Sequence, residues 1–300
     1  MKIDTTEKWL PVYEALASRV RLRIISMLAR RSMNIKEIAA ELNLSSAIIT
    51  MHINKLEAAG IIKAQRVRKN GGVQKICTLV MDQLVVEFPQ KYKKERQYYE
   101  FMLPVGHYTD FHIQPTCGLA TVEKVIGHFD DPRYFLDPER VNAKILWFSK
   151  GYLEYKIPNY LLATQNPEEI EISMELGSEA PGAKSDWPSD ITFYLNDVEL
   201  GYWTSPGDFG DTRGKFTPSW WRDGINQYGL LKVLRVNNQG SFIDGEKISN
   251  VTINDININQ KQLSFKIAVL DDARHVGGLT LYGAGFGNYD QDILVRLYYT

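Results

Sequence analysis

The chain has 300 residues, of which 44% are hydrophobic, and its formal net charge is −1. This length suggests two globular domains, and the composition excludes a membrane-spanning protein, because no apolar run approaches the roughly 18 residues that cross a bilayer and the N-terminus lacks the apolar core of a signal peptide. The two cysteines form no CxxC motif, which favours a cytoplasmic protein without a disulfide.

Positive charge is concentrated at the front of the chain. Residues 1–80 contain 14 of the 35 lysines and arginines but 6 of the 36 acidic residues, a balance of +8 that leaves −9 for the remainder. A basic segment displaces counterions from phosphates and therefore favours a nucleic acid as its partner. We predict that only the front of the chain contacts DNA.

Helix signals follow one another through the first sixty residues. Asp4 and Glu7 predict a capping box for the first helix, and SRVRLRIISMLARR, 18–31, predicts the second. The third helix is predicted to begin at Asn34, because Glu37 follows three residues later and apolar residues recur at helical spacing.

The fourth predicted helix begins at Ser45 and ends at Gly60, which is a typical C-terminal cap. The β-prone runs IIKAQRVRK and VQKICTLV come next, joined by a glycine-rich turn at 70–72, and they predict a hairpin. Helices followed by a basic hairpin are typical of a winged helix-turn-helix, which we assign to residues 1–82.

The face of the fourth helix opposite its apolar residues carries small and polar side chains that can approach base edges in the major groove. Basic residues on or near the hairpin, the wing, can reach phosphates or a minor groove. The predicted DNA-binding residues are Ser45, Ser46, Ala47, Thr50, Met51, Asn54, Lys55, Arg66, Arg68, Lys69 and Lys75. We interpret His52 as a packed or backbone-bonded residue and not as a base reader.

LNLSSAIITMHINKLEAAGIIKAQRVRKNGGVQKICTL, 42–79, resembles the recognition helix and wing of the arsenical-repressor (ArsR) family. The matching features are a serine-rich helix start, His52 four residues before Leu56, and an Ala-Gly pair followed by two isoleucines. The resemblance covers about residues 5–85. It implies a homodimer that binds a palindrome-like operator in double-stranded DNA, with the first helix at the dimer contact. It does not extend to metal sensing on the third helix, where the family's metal sensors often have Cys-x-Cys and this chain reads NIKEIAAEL.

The composition of the chain changes over residues 83–106, and this change predicts a linker. Charges cluster at 91–96, and Pro89 and Pro104 punctuate the segment. We predict a helix within this linker. Two roles for the helix stay open: packing on the dimer partner, or simple exposure to solvent.

From residue 107 onward the hydrophobic period switches to two. About ten short β-prone runs, separated by Asn, Gly, Asp and Pro, predict an all-β domain over 107–300. NVTINDININ, 250–259, is one of these predicted strands. The segment 115–129 predicts one short helix, and 130–140 predicts a loop.

EEIEISMELGSEAPGAKSDWPSDITFYLNDVELGYWT, 168–204, resembles the galactose-binding-like jelly roll of many carbohydrate-binding modules. This resemblance covers about residues 145–300. The combination of both segments resembles regulators in which an ArsR-type head precedes a β-sandwich and which respond to sugars. The expected fold class is therefore multi-domain, with an N-terminal α+β winged helix-turn-helix followed by an all-β jelly-roll-like sandwich.

WTSPGDFGDTRGKFTPSWW, 203–221, predicts a long loop with three tryptophans, two prolines and three glycines. Aromatic rings stack on the CH faces of sugars, charged groups bind the hydroxyls, and long ordered loops are usually functional. We predict a small effector, a saccharide, bound by Trp187, Trp203, Asp208, Asp211, Arg213, Trp220, Trp221 and Tyr228. The alternative is that the tryptophans pin the loop onto its own sheet and an Asp–Arg pair only staples it.

The sequence allows two alternative functions. A metal-responsive regulator would use the histidines and cysteine of 107–128, although their spacing fits no common zinc pattern; these residues are His107, His112, Cys117 and His128. A glycoside-active enzyme would use paired carboxylates, either Asp208 with Asp211 or Asp271 with Asp272. We predict that the chain is not an enzyme and that it has no catalytic residue, cofactor or metal site.

Overall fold

The computed structural model describes residues 1–69, 72–88 and 96–300. The chain divides into two compact units, Met1–Lys94 and Glu95–Thr300, which we call the N-terminal and the C-terminal unit. Within the described ranges, no helix combines the length and the apolar character that crossing a bilayer requires. The fold class is the predicted one, a helix-turn-helix unit followed by a large all-β unit.

Short helices and strands alternate in the described part of the N-terminal unit. In chain order they are β1 (Lys2–Asp4), α1 (Leu10–Leu16), α2 (Arg19–Arg30), β2 (Met33–Asn34), α3 (Ile35–Leu42), α4 (Ser46–Ala58), β3 (Ile62–Lys69), β4 (Gly72–Leu79) and β5 (Val85–Glu87). Strands β3 and β4 form the predicted hairpin, β2 adds to β4, and β1 pairs in parallel with β5. The predicted turn falls on residues 70 and 71, which lie outside the described residues.

The caps that the sequence predicts for α3 and α4 are formed. Asn34 Oδ1 accepts a hydrogen bond from Glu37 N at 2.9 Å, and Glu37 Oε2 accepts one from Asn34 N at 2.7 Å. This reciprocal box satisfies two backbone donors at the start of α3. Ser45 Oγ accepts from Ile48 N at 3.3 Å, so α4 begins where predicted. Between the two helices, Asn43 adopts φ 53°, a left-handed conformation that asparagine tolerates.

The capping box predicted for Asp4 and Glu7 is wrong. Asp4 ends strand β1, and its carboxylate accepts a hydrogen bond from Thr6 N at 2.9 Å. Glu7–Trp9 forms a short 3-10 helix, and α1 begins only at Leu10. The pairing of β1 with β5 holds Asp4 in an extended conformation, and no local signal announces that distant partner.

The helices of the N-terminal unit enclose one apolar core. Ile49, Ile53 and Leu56 of α4 are fully buried in it, together with Ile24 of α2 and Ile38 of α3. Spacings of four and three residues place the three α4 side chains on one side of the helix. The opposite side of α4 is therefore directed away from the core.

The helix predicted within 83–106 is wrong over the part of that segment that the structure describes. Val85–Glu87 is strand β5, Gln97–Leu103 is a further strand, and residues 89–95 lie outside the described residues. The run QYYEFML is rich in aromatic residues that suit a strand. Its hydrogen-bonding partner is the last strand of the chain, which explains why local sequence does not reveal it.

The described part of the C-terminal unit is all-β apart from two short 3-10 helices. Its strands are β6 (Gln97–Leu103), β7 (Asp110–Ala120), β8 (Ile145–Pro158), β9 (Pro167–Gly177), β10 (Ser189–Leu195), β11 (Val198–Ser205), β12 (Leu230–Asn237), β13 (Gly240–Ile243), β14 (Glu246–Ser249), β15 (Gln262–Val269), β16 (Leu279–Tyr282) and β17 (Ile293–Tyr299). The main order of neighbours is β11-β10-β15-β8-β16-β9-β12-β13-β14. Strand β7 pairs with β8, and β17 pairs with both β9 and β6.

The long strand β8 changes partner along its length. Its first part pairs with β16 and its second part with β15. Gly151 lies at the change of partner with φ 111°, and a Cβ there would lie 1.8 Å from the carbonyl oxygen of His112. Glycine is therefore required at this position. Leu146, Tyr155 and Ile172 are among the fully buried residues of the core between the layers.

The strand predicted at 250–259 is wrong. This segment forms turns, in which Thr252 N and Thr252 Oγ1 both donate to the Asp255 carboxylate, at 2.8 and 2.7 Å. Its three isoleucines are nevertheless buried in the core. The isoleucines are three and two residues apart, so they do not keep a period of two across Asp255, and the Asn and Asp residues set a turn conformation.

Three smaller predictions also differ from the structure. The short helix predicted within 115–129 is absent there, because β7 continues to Ala120 and a turn follows. The loop predicted at 130–140 contains the two 3-10 helices, Pro132–Leu136 and Pro138–Asn142. The predicted loop at 203–221 begins later than expected, since its first three residues belong to β11.

Candidate functional site

The outward side of α4 presents a line of mostly apolar residues. Ala47, Met51, Asn54 and Ala58 follow each other at spacings of four, three and four residues, which aligns them on one side of a helix. All four are exposed, and we call them the reading face. Of the other predicted base readers and neighbours on this helix, Ser45, Ser46 and Lys55 are exposed and Thr50 is half-buried.

Three predicted DNA-binding residues already have partners within the N-terminal unit. Thr50 Oγ1 donates to the Ser46 carbonyl at 2.7 Å, and Lys75 Nζ donates to Asn54 Oδ1 at 3.2 Å. Lys75 Nζ also donates to Glu57 Oε2 at 2.9 Å, and this hydrogen bond lowers the pKa of Glu57. Lys75 thus lies against α4, and a phosphate contact by this lysine stays a prediction.

A buried arginine fixes α4 against the first two helices. Arg21 Nε donates to the Ala15 carbonyl at 2.7 Å, and Arg21 Nη2 donates to the Glu14 carbonyl at 2.5 Å. Arg21 Nη1 lies 3.4 Å from His52 Nδ1. Burial lowers the pKa of His52, and the positive charges of Arg21 and Lys55 lower it further, so a neutral ring can accept from Arg21. His52 is a packed residue, as the sequence predicts.

The wing is described only in part. Arg66 is exposed on β3, beside the exposed Lys63 of the same strand. The backbones of Arg68 and Lys69 belong to β3, but their side chains lie outside the described residues. Exposed cations on a hairpin next to a reading helix suit contacts with phosphates.

The tryptophan-rich loop of the C-terminal unit packs on its own sheet. Trp221 is 2% exposed, and its ring packs edge-on against Trp147 and Phe286 at 5.7 and 5.3 Å between ring centroids. Trp220 packs edge-on against Trp221 at 5.4 Å and donates through Nε1 to the Val122 carbonyl at 2.6 Å. The ring of Trp221 is therefore not free to stack on a ligand, while Trp220 is partly exposed.

Arg213 holds this loop together through hydrogen bonds to its backbone. Its Nη1 donates to the Pro218 carbonyl at 2.7 Å, and its Nη2 donates to the Trp221 carbonyl at 3.0 Å. The same nitrogen pairs with the Asp223 carboxylate. This is the structural role that the sequence left open as an alternative, although the acidic partner is Asp223, which the sequence did not single out.

Several predicted ligand residues lie apart from one another. Asp211 is exposed and accepts a hydrogen bond from the Tyr228 hydroxyl at 2.8 Å. Trp187 Nε1 donates to the Glu179 carbonyl at 3.1 Å. Trp203 lines a separate open groove of about 600 Å³ beside β11. The structure therefore does not gather the eight predicted residues into one site.

Asp208 and Trp221 do meet, in a cavity of about 160 Å³ that we call the carboxyl cavity. Its other lining residues are Thr116, Phe129, Asp130, Trp147, Glu179, Ala180, Pro181, Gly182, Ile225 and Asn226. Asp208 is 2% exposed, and its Oδ2 accepts from Ala180 N at 3.2 Å. Within the described part of the chain, Asp208 Oδ1 has no hydrogen-bond partner. Because a buried oxygen without a donor is costly, this atom marks a position for a proton or for a ligand donor.

Burial raises the pKa of two of the carboxyl groups that line this cavity, Asp208 and Glu179. The pKa of Asp208 rises to about 7. The pKa of Glu179 rises to about 8, first through burial and then through the charge of Asp208. Glu179 Oε1 accepts from Thr116 Oγ1 at 3.1 Å, and its Oε2 accepts from Asn226 Nδ2 at 3.4 Å. At neutral pH the pair therefore holds at least one proton and can both donate and accept hydrogen bonds.

Sequence reasoning missed most of the residues that form the carboxyl cavity. Glu179 lies two residues after β9, Asn226 lies between the tryptophan-rich loop and β12, and Thr116 lies within β7. These three segments are far apart along the chain, so no spacing connects them. The sequence pointed only to Asp208 and Trp221, which both lie in the predicted loop of residues 203–221.

The histidines and cysteine of 107–128 are not brought together around a metal. Among the residues that the structure describes, no group of three or more His, Cys, Asp and Glu side chains could hold a metal ion. His112 and His128 each pack against a tyrosine ring, and Cys117 is buried. The metal-responsive alternative therefore lacks an assembled site in this segment.

The carboxylate pairs of the enzyme alternative are also arranged differently from the prediction. Asp208 is buried next to Glu179, whereas its expected partner Asp211 is exposed. Asp271 forms an ion pair with Lys150 at 3.2 Å on the surface. Within the described residues, Asp208 and Glu179 therefore form a buried pair in which burial raises both pKa values and the charge of Asp208 raises that of Glu179 further.

Comparison with known proteins identifies the module in the N-terminal unit. Residues 18–64 match the family described as bacterial regulatory protein, arsR family. An uncharacterised HTH-type transcriptional regulator of Methanocaldococcus jannaschii is 33% identical over 63 residues, which are 21% of this chain and 66% of that protein. The chain thus spans just under two thirds of that relative's length. The N-terminal unit contains an ArsR-type helix-turn-helix, and the predicted resemblance is confirmed.

Solved structures resemble each unit separately. HlyU from Vibrio cholerae is 23% identical and covers 25% of this chain and 77% of its own, with a TM-score of 0.22. The CBM36-1 domain of a multidomain xylanase from the hindgut metagenome of Trinervitermes trinervoides is 6% identical and covers 66% of this chain and 96% of its own, with a TM-score of 0.30.

Proposed function

We propose that the chain is a DNA-binding transcriptional regulator built on the ArsR-type helix-turn-helix of its N-terminal unit, acting as a cytoplasmic homodimer on double-stranded operator DNA. The observation that carries this proposal is α4, which lies in the family-matched segment and exposes the side opposite its core. The residues around it carry a balance of +8 over 1–80. Helices of this type place their N-terminal residues against base edges, while nearby cations contact phosphates.

We further propose that the C-terminal unit binds a small polar effector, a saccharide, and that the carboxyl cavity receives its hydroxyl groups. The unpaired Asp208 Oδ1 supports this assignment because it can accept from a hydroxyl, and a protonated Glu179 can donate to one. Phe129, which is 53% exposed, lines the same cavity and can pack against CH groups. At about 160 Å³ the cavity is smaller than the roughly 300–1,000 Å³ of drug-sized sites, so it suits part of one sugar ring.

The effector and the operator would be coupled by thermodynamic linkage. An effector that binds the DNA-free form more tightly weakens operator binding, and the operator weakens effector binding by the same factor. An effector that prefers the DNA-bound form has the opposite influence. Couplings of this kind typically amount to about 1–3 kcal/mol, or roughly 5- to 150-fold in affinity.

Titration of the full chain with a panel of mono- and oligosaccharides, followed by tryptophan fluorescence, tests the effector site. Trp147 and Trp221 line the carboxyl cavity, so occupancy should alter their emission. We expect a saturable change in the wild type and its loss in Asp208→Asn, which exchanges an acceptor for a donor at the unpaired position. The matched variant Asp211→Asn alters an exposed carboxylate and should keep the response. A response retained in Asp208→Asn would contradict the site, and silence across the panel would contradict a saccharide.

Chromogenic glycosides distinguish a binding unit from an enzyme. We expect no turnover by the full chain, because the proposal assigns Asp208 and Glu179 to hydrogen bonds with a bound ligand. Turnover that disappears in Asp208→Asn or Glu179→Gln would identify the pair as catalytic carboxyls, and the sensor proposal would then be wrong.

A further inference from the structure

The reading face of α4 is apolar at positions where an exposed helix usually carries polar groups. Ala47 and Ala58 end in methyl groups, and Met51, between them, is 51% exposed. Ile48 flanks this line and is 42% exposed. Solvent-facing sides of helices in globular proteins are normally charged or polar, so an apolar line of this kind indicates a partner with apolar groups to contact.

Two hydrogen-bonding side chains on or beside this line, Thr50 and Asn54, already have partners, while Ser46 and Lys55 are exposed. Thr50 Oγ1 donates to the Ser46 carbonyl one turn earlier, at 2.7 Å. Asn54 would need both its oxygen and its nitrogen to bind adenine in the usual bidentate way. Its oxygen already accepts from Lys75 Nζ at 3.2 Å, and Lys75 is in turn held by Glu57. The reading face therefore offers few side-chain groups that are available for direct hydrogen bonds to bases.

Thymine is the base that offers an apolar group in the major groove, its C5 methyl. We therefore propose, on the basis of the proposed DNA binding, that α4 recognises its operator through thymine methyl groups contacted by Met51, Ala47 and Ile48. The occupant is duplex DNA because the face belongs to a segment with a charge balance of +8, and Lys55 is exposed on the same helix. Each half-site then carries thymine at the positions that α4 faces.

Selection of duplexes from a random-sequence library by the full chain supplies the DNA probe. We expect enriched duplexes with thymine at fixed positions in both half-sites. Replacing one such thymine by uracil removes only the C5 methyl and keeps base pairing and all hydrogen-bonding groups. We expect binding to weaken about fourfold for each contacted methyl, because burial of a CH₂-sized group contributes about 0.8 kcal/mol. The same replacement in the flanking sequence should have no effect.

Met51→Ala tests the protein side of the contact, and Met102→Ala is its matched control. Both methionines are more than half exposed, and Met102 lies on β6 of the C-terminal unit. We expect Met51→Ala to bind the thymine and uracil duplexes with equal affinity at the position that Met51 contacts. Met102→Ala should keep the fourfold preference. Circular dichroism and thermal unfolding of both variants verify that the fold is unchanged.

The outcomes separate this inference from the proposed function. Equal binding of thymine and uracil duplexes by the wild type would overturn the inference and leave DNA binding intact. A thymine preference that persists in Met51→Ala would overturn the contact assigned to Met51. If no duplex is enriched and Met51→Ala abolishes self-association of the chain, the occupant is a second copy, and both the inference and the proposed DNA binding are wrong.

Discussion

The reading face of the N-terminal unit is exposed, whereas the carboxyl cavity of the C-terminal unit is lined largely by buried or half-buried side chains. The reading face lies on the exposed side of one helix, whose start is set by a local cap at Ser45. The carboxyl cavity collects buried side chains from β7, from the end of β9 and from the tryptophan-rich loop. Changes on the reading face should therefore alter binding without altering stability, whereas changes in the cavity should alter both.

The charged groups of the two regions also differ in their exposure to water. Lys55 and Arg66 of the N-terminal unit are exposed, and water solvates them. In the cavity, burial raises the pKa values of Asp208 and Glu179 into the neutral range. Electrostatic effects should thus appear as salt dependence in one unit and as pH dependence in the other.

The strongest effect that we expect is a loss of stability as pH rises. The pKa of Asp208 is about 7 and that of Glu179 about 8 in the folded chain, while unfolded carboxyls titrate near pH 4. The folded chain therefore binds more protons between these values, so the stabilisation is complete below about pH 4 and is lost as pH rises through 7 and 8. Urea unfolding at pH 5, 6 and 7 should show a decrease of about 1.4 kcal/mol per pH unit for each such carboxyl.

Asp208→Asn isolates the contribution of one carboxyl to this slope. Glu175, with a pKa of about 7, contributes to the slope in every variant and cancels in the difference from wild type. That difference reports Asp208 together with the part of the Glu179 shift that the charge of Asp208 causes. We expect the slope between pH 5 and 7 to decrease by about one proton in Asp208→Asn. It should be unchanged in Asp211→Asn, whose carboxylate is exposed. An identical slope in Asp208→Asn and wild type would show that Asp208 is ionised in the folded chain.

The next largest effect that we expect is the loss of stability when the buried Arg21 is replaced. Arg21→Ala removes the donors to the Glu14 and Ala15 carbonyls and the partner of His52, so we expect the free energy of unfolding to fall by about 2–4 kcal/mol. Arg23→Ala removes an exposed arginine from the same helix and should change stability by less than about 0.5 kcal/mol. Urea denaturation of both variants measures the difference. Equal losses would mean that charge, and not the buried hydrogen bonds, is responsible.

The smallest effects should come from exposed cations. Lys55→Ala and Arg66→Ala should each reduce the slope of log affinity against log salt by about one if each contacts a phosphate. The sequence places Arg68 and Lys69 in the same class, and their double alanine variant should reduce the slope further. Lys215→Ala, in the C-terminal unit, is the control. A slope that stays constant in Arg66→Ala would exclude Arg66 from the phosphate contacts, and a constant slope in the double variant as well would exclude the wing.

Local signals in the sequence were sufficient for much of the N-terminal unit. The cap at Ser45 and the reciprocal box of Asn34 with Glu37 occur where the sequence predicts them, because a cap depends on residues within one turn. The same reasoning is wrong at Asp4, where a parallel strand from a distant segment competes with helix formation. Local chemistry therefore decides an element unless a long-range pairing competes with it.

In the C-terminal unit, the period of two predicted the all-β class but not every strand. It placed a strand at 250–259, where three isoleucines are buried although the backbone turns. It missed the strand at 97–103, whose partner is β17 at the other end of the unit. Period two reports which side chains are buried, and hydrogen-bonded pairing needs a partner that the period does not identify.

Neighbouring residues are enough to predict the start of α4, its exposed face and the basic wing, because caps and helical spacing act over a few residues. Long-range packing sets the remaining features. It places Lys75 of β4 between Asn54 and Glu57 of α4, and it brings Asp208 next to Glu179. These partners come from separate segments, and the burial that raises the pKa values of the two carboxyls exists only once the sheet has closed around them.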